Sequence, residues 1–303
     1  MSGTVLVLGA SGRFGRHAAE AFWNRGWRVK TFDRSTDDLV DAARDVDVIV
    51  NGWNPPYPAW ERDVPKLTEQ VIAAARASDA TVILPGNVYV FGADAPECFD
   101  EETPHLATNP LGRVRIEMEE AYRRSGVQTV ILRGGDFIDT EASGNWFDAV
   151  ITSKINKGGF VAPGSHDAIH AWAYLPDMAR ASVLLAEKRR ELEQFEDIPF
   201  SGLTLSLEEL RQLCEAEAVR PLKMRSFPWL AIHLAGLVWP MGRHLAEMRY
   251  LWSKPHYIDG TRFDAILPDF QMTQADEAIS IALKSQIDPY KPMPRSSAHV
   301  AAE

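Results

Sequence analysis

Residues 4–15 read TVLVLGASGRFG, and this short stretch decides the fold of the chain. The first five residues form a short apolar run with β-branched side chains, which is typical of a buried strand. Glycines follow at positions 9, 12 and 15, and residues 15–25 have the periodicity of a helix. The stretch therefore predicts a strand, a tight glycine turn and a helix N-terminus, in that order.

The spacing Gly-x-x-Gly-x-x-Gly has a physical reason in dinucleotide binding. The first glycine permits the tight turn, the second lets the backbone approach a pyrophosphate, and the third lets the helix pack close to the strand. The helix N-terminus offers phosphates free N–H donors and a favourable dipole. A glycine turn without a ligand is the alternative, but the strand before it, the helix after it and an acid after the next strand favour a cofactor loop. The residues predicted to hold the cofactor here are Gly9, Ser11, Gly12, Arg13, Phe14 and Gly15.

The acid after the second predicted strand, 27–32, is Asp33. A carboxylate at this position accepts hydrogen bonds from the adenosine ribose and repels a 2′-phosphate, which favours NAD. Arg34 beside it, assisted by Arg13, is able to pair with a 2′-phosphate or to stack on adenine, so NADP is the alternative. Arg34 is equally well interpreted as a solvated surface charge.

Apolar runs alternate with helical patterns over the first half of the chain. Strands that are apolar along most of their length belong to parallel sheets covered on both faces. The predicted class is therefore α/β, a Rossmann doubly wound parallel sheet with a smaller C-terminal substrate lobe. We predict an NAD(P)-binding domain over 1–140 and a mixed α/β lobe over 141–303 that returns in part to the sheet and ends in a disordered tail from 292. Strands are predicted at 4–8, 27–32, 46–50, 81–84 and 127–132, and helices at 15–25, 64–78, 112–125, 176–192, 207–218 and 229–250.

The composition excludes several classes of function. The chain has 303 residues and a formal net charge of −10, which disfavours a nucleic-acid surface. Its two cysteines, Cys98 and Cys214, give neither a disulfide framework nor metal-ligand spacing, and no metal site is predicted. No targeting pattern is found, so a cytoplasmic protein is expected. The apolar segment 227–239 is too short to span a bilayer; it is predicted to be a buried helix or a lid, with no membrane contact.

Several motifs resemble the short-chain dehydrogenase/reductase superfamily, in the extended branch called the NAD-dependent epimerase/dehydratase family. The resemblance spans about residues 4–185 and implies an NAD(P)-dependent fold in which Asn51, Gly52 and Trp53 lie at the cofactor. A homodimer is expected by family analogy. Two further motifs resemble a subset of epimerase-like proteins, namely Asn54-Pro55-Pro56-Tyr57 and Gly112-Arg113-Val114-Arg115. The landmarks that carry the resemblance are the glycine loop, Asn51-Gly52-Trp53, the segment from Pro85 to Gly92, Glu101-Glu102-Thr103-Pro104 and the segment from His170 to Asp177.

The catalytic positions depart from the family pattern. The family's proton donor is the Tyr of a Tyr-x-x-x-Lys motif, but Leu111 stands at the Tyr position and Arg115 at the Lys position. The family's active Ser or Thr corresponds to Asn87. Because Leu cannot transfer a proton, the sequence predicts a non-standard catalytic site.

Tyr89 lies just past the carboxyl end of the predicted strand 81–84, where ligands bind in open α/β sheets. We predict that its phenol protonates a carbonyl, with Arg115 lowering its pKa and stabilising negative charge. Asn87 is predicted to position a substrate oxygen. The alternatives are that Tyr89 is a core residue and that Asn87 is a strand-end turn residue.

Two further acid–base candidates are Asp136, which follows the predicted strand 127–132, and His170, which the resemblance places near the pocket. A turn cap and a packed ring, respectively, are the alternatives. The sequence thus predicts an NAD(P)-dependent oxidoreductase or epimerase/dehydratase-like enzyme that acts at a carbonyl or hydroxyl carbon of a small molecule. The alternative is a non-catalytic NAD(P)-binding redox sensor or regulator.

Overall fold

The computed structural model describes residues 3–287, so the predicted disorder of 292–303 concerns a segment outside the described residues. The strands are β1 (Thr4–Leu8), β2 (Arg28–Thr31), β3 (Val48–Asn51), β4 (Thr81–Gly86), β5 (Cys98–Phe99), β6 (Thr129–Arg133), β7 (Asp136–Ile138), β8 (Gly159–Ala162), β9 (Ile169–Tyr174), β10 (Phe195–Pro199), β11 (Leu203–Ser206), β12 (Lys223–Ser226) and β13 (Tyr257–Ile258). The α-helices are α1 (Arg13–Asn24), α2 (Leu39–Ala42), α3 (Trp60–Ser78), α4 (Pro110–Ser125), α5 (Leu175–Lys188), α6 (Leu207–Ala218), α7 (Trp229–Ala235), α8 (Pro240–Glu247), α9 (Thr261–Ile266) and α10 (Ala275–Ile287).

A six-stranded parallel sheet forms the centre of the fold, in the order β10-β6-β4-β3-β1-β2. From β1 the chain first adds β2 on one side and then returns to add β3 on the other. The strand order therefore reverses between β1 and β3, and such a reversal opens a ligand crevice at the carboxyl ends of the two strands. The predicted doubly wound α/β class is confirmed.

Alternate residues of β1 face opposite layers, as the period of a strand requires. Val5 and Val7 join the core that includes α1 and α5, whereas Leu6 and Leu8 join the core that includes α3 and α4. Both faces of the sheet are thus covered, which explains why the strands are apolar along their length.

The C-terminal lobe has its own core around a three-stranded sheet, β11-β9-β7, with α6 and α10 packed on it. The chain nevertheless returns to the main sheet, because β10 pairs with β6 and α5 packs beside α1.

The apolar segment 227–239 differs from the expectation of a buried helix or lid. Pro240 begins a separate helix, so the predicted helix over 229–250 is divided into α7, α8 and a 3₁₀ turn over Met248–Trp252. The side chains at the turn between α7 and α8 point into solvent, with Leu237 81% and Val238 88% exposed. Within residues 3–287 no helix is both long and apolar enough to cross a membrane.

A buried ion network lies at the carboxyl edge of the sheet. Arg133, the last residue of β6, is 1% exposed, and its Nη2 donates to Glu119 of α4 at 2.8 Å and to Asp197 of β10 at 2.5 Å. Its Nη1 donates to the backbone oxygen of Asn87 at 2.6 Å. Burial lowers the pKa of Arg133, but the charges and hydrogen bonds of the Asp197 and Glu119 carboxylates outweigh it and hold the pKa above its ordinary value. One guanidinium therefore joins a strand, a helix, a second strand and the turn after β4.

Replacing Arg133 by Met leaves Glu119 and Asp197 buried without a counter-charge. Because breaking a buried pair costs about 3–5 kcal/mol, we expect the free energy of unfolding in urea to fall by about that amount. Arg25→Met is the control, since Arg25 bonds Glu187 on the surface, where such a pair contributes about 1 kcal/mol or less. An unchanged urea midpoint for Arg133→Met contradicts a structural role for this network.

Candidate functional site

The glycine loop has the geometry that a dinucleotide phosphate requires. Gly9 has φ +72°, and its carbonyl accepts a hydrogen bond from the Gly12 amide at 2.8 Å. A Cβ on Gly15 would lie 2.1 Å from the Gly9 oxygen, so only glycine lets α1 begin this close to β1. Gly12 caps α1 without a side-chain hydrogen bond, which leaves first-turn amides free for phosphate oxygens.

The end of β3 adjoins this loop. The Gly52 amide donates to the Leu8 carbonyl at 3.0 Å, and a Cβ on Gly52 would lie 2.8 Å from that oxygen. Asn51 is buried; its Nδ2 donates to the Tyr122 hydroxyl at 3.0 Å, and its Oδ1 accepts from the Trp53 amide at 3.2 Å. Asn51 and Gly52 thus fix the crevice between β1 and β3, and the side chain of Asn51 is already hydrogen-bonded within the protein.

Two residues of the predicted loop have side chains directed elsewhere. Phe14 is 4% exposed and packs in the core between the sheet and α1. Arg13 crosses to the C-terminal lobe, where its Nε donates to the Ser143 carbonyl at 2.7 Å and its Nη2 to the Gly144 carbonyl at 2.8 Å. Arg13 therefore connects the glycine loop to the other lobe, and Ser11 remains as an exposed side chain of the loop.

The predicted adenosine end contains Asp33, Arg34 and Trp53. The Asp33 carboxylate accepts from the Ser35 amide at 2.9 Å and from its hydroxyl at 2.7 Å, and these bonds lower its pKa. It is therefore an exposed anion next to the crevice. The Arg34 guanidinium lies 5.2 Å from the Trp53 ring centroid, which is a cation–π contact rather than a freely solvated charge.

These observations test the fit of a dinucleotide. The glycine loop has no room for added Cβ atoms, and the amides at the start of α1 are uncapped, which matches a pyrophosphate. The anion that follows β2 matches a ribose diol. At the inner end, Arg115 Nε is buried and has no hydrogen-bond partner among the described residues. The residues present fit NAD.

The predicted proton donor Tyr89 belongs to a pair of phenols. Tyr89 lies in a 3₁₀ turn over Val88–Val90, and its hydroxyl is 2.7 Å from the hydroxyl of Tyr57. Burial raises the pKa of Tyr57 to about 12, and burial with the Tyr57 and Asp136 charges raises the pKa of Tyr89 well above 10. The expectation that Arg115 lowers the pKa of Tyr89 is therefore wrong, because desolvation of the phenol dominates. Both phenols are protonated donors at neutral pH.

Asn87 and Arg115 hold this region in place. The Asn87 Oδ1 accepts from the Tyr89 amide at 3.1 Å, which makes Asn87 the cap of the 3₁₀ turn. Arg115 is 7% exposed, donates from Nη2 to the Pro85 carbonyl at 2.8 Å and lies 5.6 Å from the Trp60 ring centroid. Burial lowers the pKa of Arg115 from its ordinary value. Leu111, at the family's Tyr position, is 1% exposed.

An Asp–His pair lies beside the phenols. Asp136 begins β7, and its Oδ2 is 2.7 Å from Nε2 of His170 on β9. The His170 ring stacks on Trp252 with an interplanar angle of 3° and a centroid distance of 4.4 Å. The Asp136 charge contributes to raising the pKa of both Tyr57 and Tyr89, so the carboxylate and the two phenols share one electrostatic environment. The sequence motif Asn54-Pro55-Pro56-Tyr57 marked the segment, but no local signal indicated that Tyr57 pairs with Tyr89.

In the described part of the chain, one group of potential metal ligands has its ligand atoms within 4.8 Å of one another: His105, Glu119 and Asp197. Arg133 Nη2 already bonds both carboxylates, so the guanidinium neutralises the negative charge that would otherwise attract a metal ion. Burial and the Arg133 charge lower the pKa of His105. The cluster belongs to the ion network under the site.

A family model described as the NAD dependent epimerase/dehydratase family matches residues 5–199, more than half of the chain. The chain belongs to this family. The cofactor named in the family's description, NAD, is the one that the glycine loop and Asp33 predicted, and the resemblance drawn from the sequence is confirmed. No curated protein is found to be similar in sequence.

Solved structures share the fold of this family member over nearly its whole length. A nucleoside-diphosphate-sugar epimerase from Pseudomonas aeruginosa has a TM-score of 0.71 at 17% identity, covering 96% of this chain and 100% of that one. UDP-glucose 4-epimerase from Bifidobacterium longum, in complex with NAD+ and UDP, has 0.71 at 16%, covering 94% and 99%. A GalE-like L-threonine dehydrogenase from Cupriavidus necator has 0.72 at 16%, covering 94% and 100%.

Asp33→Asn removes the anion at the adenosine end of the crevice. Because a hydrogen bond to a charged group contributes about 1.5–3 kcal/mol, we expect the Kd for NAD to rise about tenfold or more, while repulsion of NADP decreases. Calorimetric titration with NAD and NADP measures both effects. Asp41→Asn, a change of another exposed aspartate on α2, is the control. An unchanged ratio of the two affinities in Asp33→Asn contradicts the assignment of Asp33 to the ribose.

His256 lies against the His170 ring, with centroids 4.4 Å apart, and burial lowers its pKa to about 3. Below pH about 6.5 His256 is protonated in the unfolded chain, whereas in the folded chain it stays neutral down to about pH 3. The free energy of unfolding therefore decreases as the pH is lowered, by about 2 kcal/mol from pH 6.5 to 5. Urea titrations should show less of this loss in His256→Gln and an unaltered loss in His233→Gln, a change at an exposed histidine. Equal pH dependence in His256→Gln and the unsubstituted protein contradicts the assignment.

Proposed function

We propose that this family member is an NAD-dependent oxidoreductase or epimerase-type enzyme that acts at a hydroxyl carbon of a small molecule through relocated acid–base groups. The observation that carries the proposal is the grouping of the Asp136–His170 pair with the Tyr57–Tyr89 pair at the carboxyl edge of the sheet. These four side chains supply the proton chemistry that Leu111 and Arg115 do not. Epimerases and a dehydrogenase with the same fold support the reaction class.

Each group has a distinct role in the proposed reaction. NAD held by the glycine loop and Asp33 would supply a hydride acceptor for the substrate carbon. Asp136 is the base that accepts the hydroxyl proton, and His170 is a positioning residue that fixes the carboxylate through a hydrogen bond. Since the pKa values of Tyr57 and Tyr89 are raised, neither phenol acts as a base. One hydroxyl donates to the other, and the second hydroxyl has its proton free to donate to the substrate oxygen.

Arg115 has an electrostatic role in this proposal. A guanidinium keeps its charge near neutral pH, so Arg115 does not exchange a proton as a Lys does. Its buried Nε has no partner among the described residues and is available to a ribose hydroxyl. Asn87 holds the Tyr89 turn through its Oδ1 and so acts as a positioning residue.

A non-catalytic NAD-binding regulator is the second candidate. It is favoured by the burial of Leu111 at the family's Tyr position and by the bond from Arg115 to the Pro85 carbonyl, which commits one of its nitrogens to the backbone. The two candidates differ in whether the bound cofactor changes redox state.

The proposal is tested by following nicotinamide absorbance while the purified protein is incubated with NAD and a panel of alcohols, hydroxy acids and UDP-glucose. Once an active compound is found, Asp136→Asn should lower kcat about 10²–10⁴-fold, the range for loss of general base catalysis. NAD affinity should stay unchanged, which separates catalysis from folding and cofactor binding. The matched control is Asp148→Asn in the same lobe, a half-buried aspartate that bonds only backbone amides at Gly144 and Asn145. Full activity of Asp136→Asn contradicts the base, and tight NAD binding without turnover on the panel favours the regulator.

A further inference from the structure

An apolar ridge projects from the C-terminal lobe. It lies on α7, on the turn after it and at the start of α8, and it is solvent-exposed although every member is a large hydrophobic side chain. Soluble proteins seldom leave such side chains contiguous and uncovered, and a patch of this kind marks an interaction surface. The apolar ridge consists of Leu230, Leu234, Leu237, Val238 and Trp239, which are 76%, 61%, 81%, 88% and 45% exposed.

The hairpin that presents the ridge is ordered by its own backbone. The Gly236 amide donates to the Ile232 carbonyl at 2.9 Å, and the Trp239 amide donates to the Ala235 carbonyl at 2.7 Å. At its far end, Glu247 accepts from the Leu111 amide at 2.6 Å and so fastens α8 to the start of α4. The ridge is therefore a fixed surface, and its side chains contribute little to the packing that holds it.

The charge around the ridge is opposite to that of the protein. The whole chain has a formal net charge of −10, but residues 219–256 contain six Lys or Arg and one carboxylate, Glu247. That carboxylate is engaged with Leu111 and Asn109 of the neighbouring helix start. A basic surface of this kind on an acidic protein indicates a partner with dense negative charge.

Five of these basic residues are exposed and have no carboxylate within ion-pair distance in the described part of the chain: Arg220, Lys223, Arg225, Arg243 and Arg249. Arg243 lines a surface hollow together with Leu237 of the ridge. Arg249 lies 5.8 Å from the Trp229 ring centroid and lines a groove of about 760 Å³ beside Leu230. Cationic groups thus flank the apolar side chains on the hairpin.

We propose that the apolar ridge docks on the surface of an anionic lipid bilayer. Leu237 and Val238 enter the boundary between headgroups and acyl chains, Trp239 lies at the headgroup level, and the flanking arginines contact lipid phosphates. The hairpin is too short to cross the bilayer and lies in its surface layer. A second copy of the chain is disfavoured as the occupant, because an isologous contact would bring the same basic groups together. The proposal differs from the expectation of no membrane contact and is independent of the catalytic proposal.

Vesicle flotation with the full chain tests the proposal. We expect binding to vesicles of phosphatidylcholine and phosphatidylglycerol in equal parts to exceed binding to phosphatidylcholine alone by about tenfold or more, and to weaken with added salt. Leu237→Ser with Val238→Ser should reduce binding to the anionic vesicles about tenfold or more, since the apolar side chains no longer enter the bilayer. Arg225→Glu with Arg243→Glu should remove the preference for anionic lipid.

Trp23→Ser is the matched control, because Trp23 is 70% exposed on α1 in the other half of the protein and should not affect flotation. Circular dichroism checks that each variant is folded, which the high exposure of Leu237 and Val238 leads us to expect. Absence of flotation with either vesicle overturns the proposal, as does equal flotation of the Leu237→Ser, Val238→Ser variant. A dimer in light scattering that this variant disperses overturns it in favour of a second copy.

Discussion

The buried charge of Arg133 is the constraint on which the carboxyl edge of the sheet depends. A guanidinium that is 1% exposed is stable only when carboxylates pair with its charge. Here the carboxylates are those of Glu119 on α4 and Asp197 on β10. The same side chain holds the Asn87 carbonyl, and so it fixes the turn that carries Tyr89. The last strand of the sheet, the helix at the family's catalytic position and the proposed site are thus positioned by one residue.

The candidate site is a rearrangement of the family's chemistry rather than a loss of polar groups. At the family's Tyr and Lys positions, Leu111 is packed in the core and Arg115 is bonded to Pro85, so neither offers an exchangeable proton. The proposed acid–base groups instead come from the 3₁₀ turns after β3 and β4, from the start of β7 and from β9. Burial protonates the phenols, which leaves the Asp136–His170 pair as the side chains suited to accept a proton.

The two halves of the protein differ in how far their apolar side chains are buried. In the sheet domain alternate residues of each strand are covered by helices on both faces, so hydrophobic side chains are used for folding. In the hairpin of α7 and α8 the apolar ridge faces solvent among unpaired arginines. Glu247 links this hairpin to the start of α4 through the Leu111 amide and the Asn109 side chain.

The sequence by itself determined the features that depend on neighbours in the chain. The β1–glycine–α1 unit, the parallel sheet, and the missing Tyr and Lys at 111 and 115 follow from local periodicity, from the conformational freedom of glycine and from residue identity. The bounds of β1 and α6 were predicted to the residue.

Only the tertiary structure decided which distant side chains meet and which apolar segments are covered. Tyr57 and Tyr89 are 32 residues apart, and Asp136 and His170 are 34 apart, so their contacts arise from strand order and not from spacing. The side chains of Phe14 and Arg13 turn away from the predicted cofactor for the same reason, since packing and the opposite lobe direct them. Hydrophobic residues in a sequence favour burial, but burial requires a facing layer, and the side chains of the apolar ridge remain exposed within the described chain.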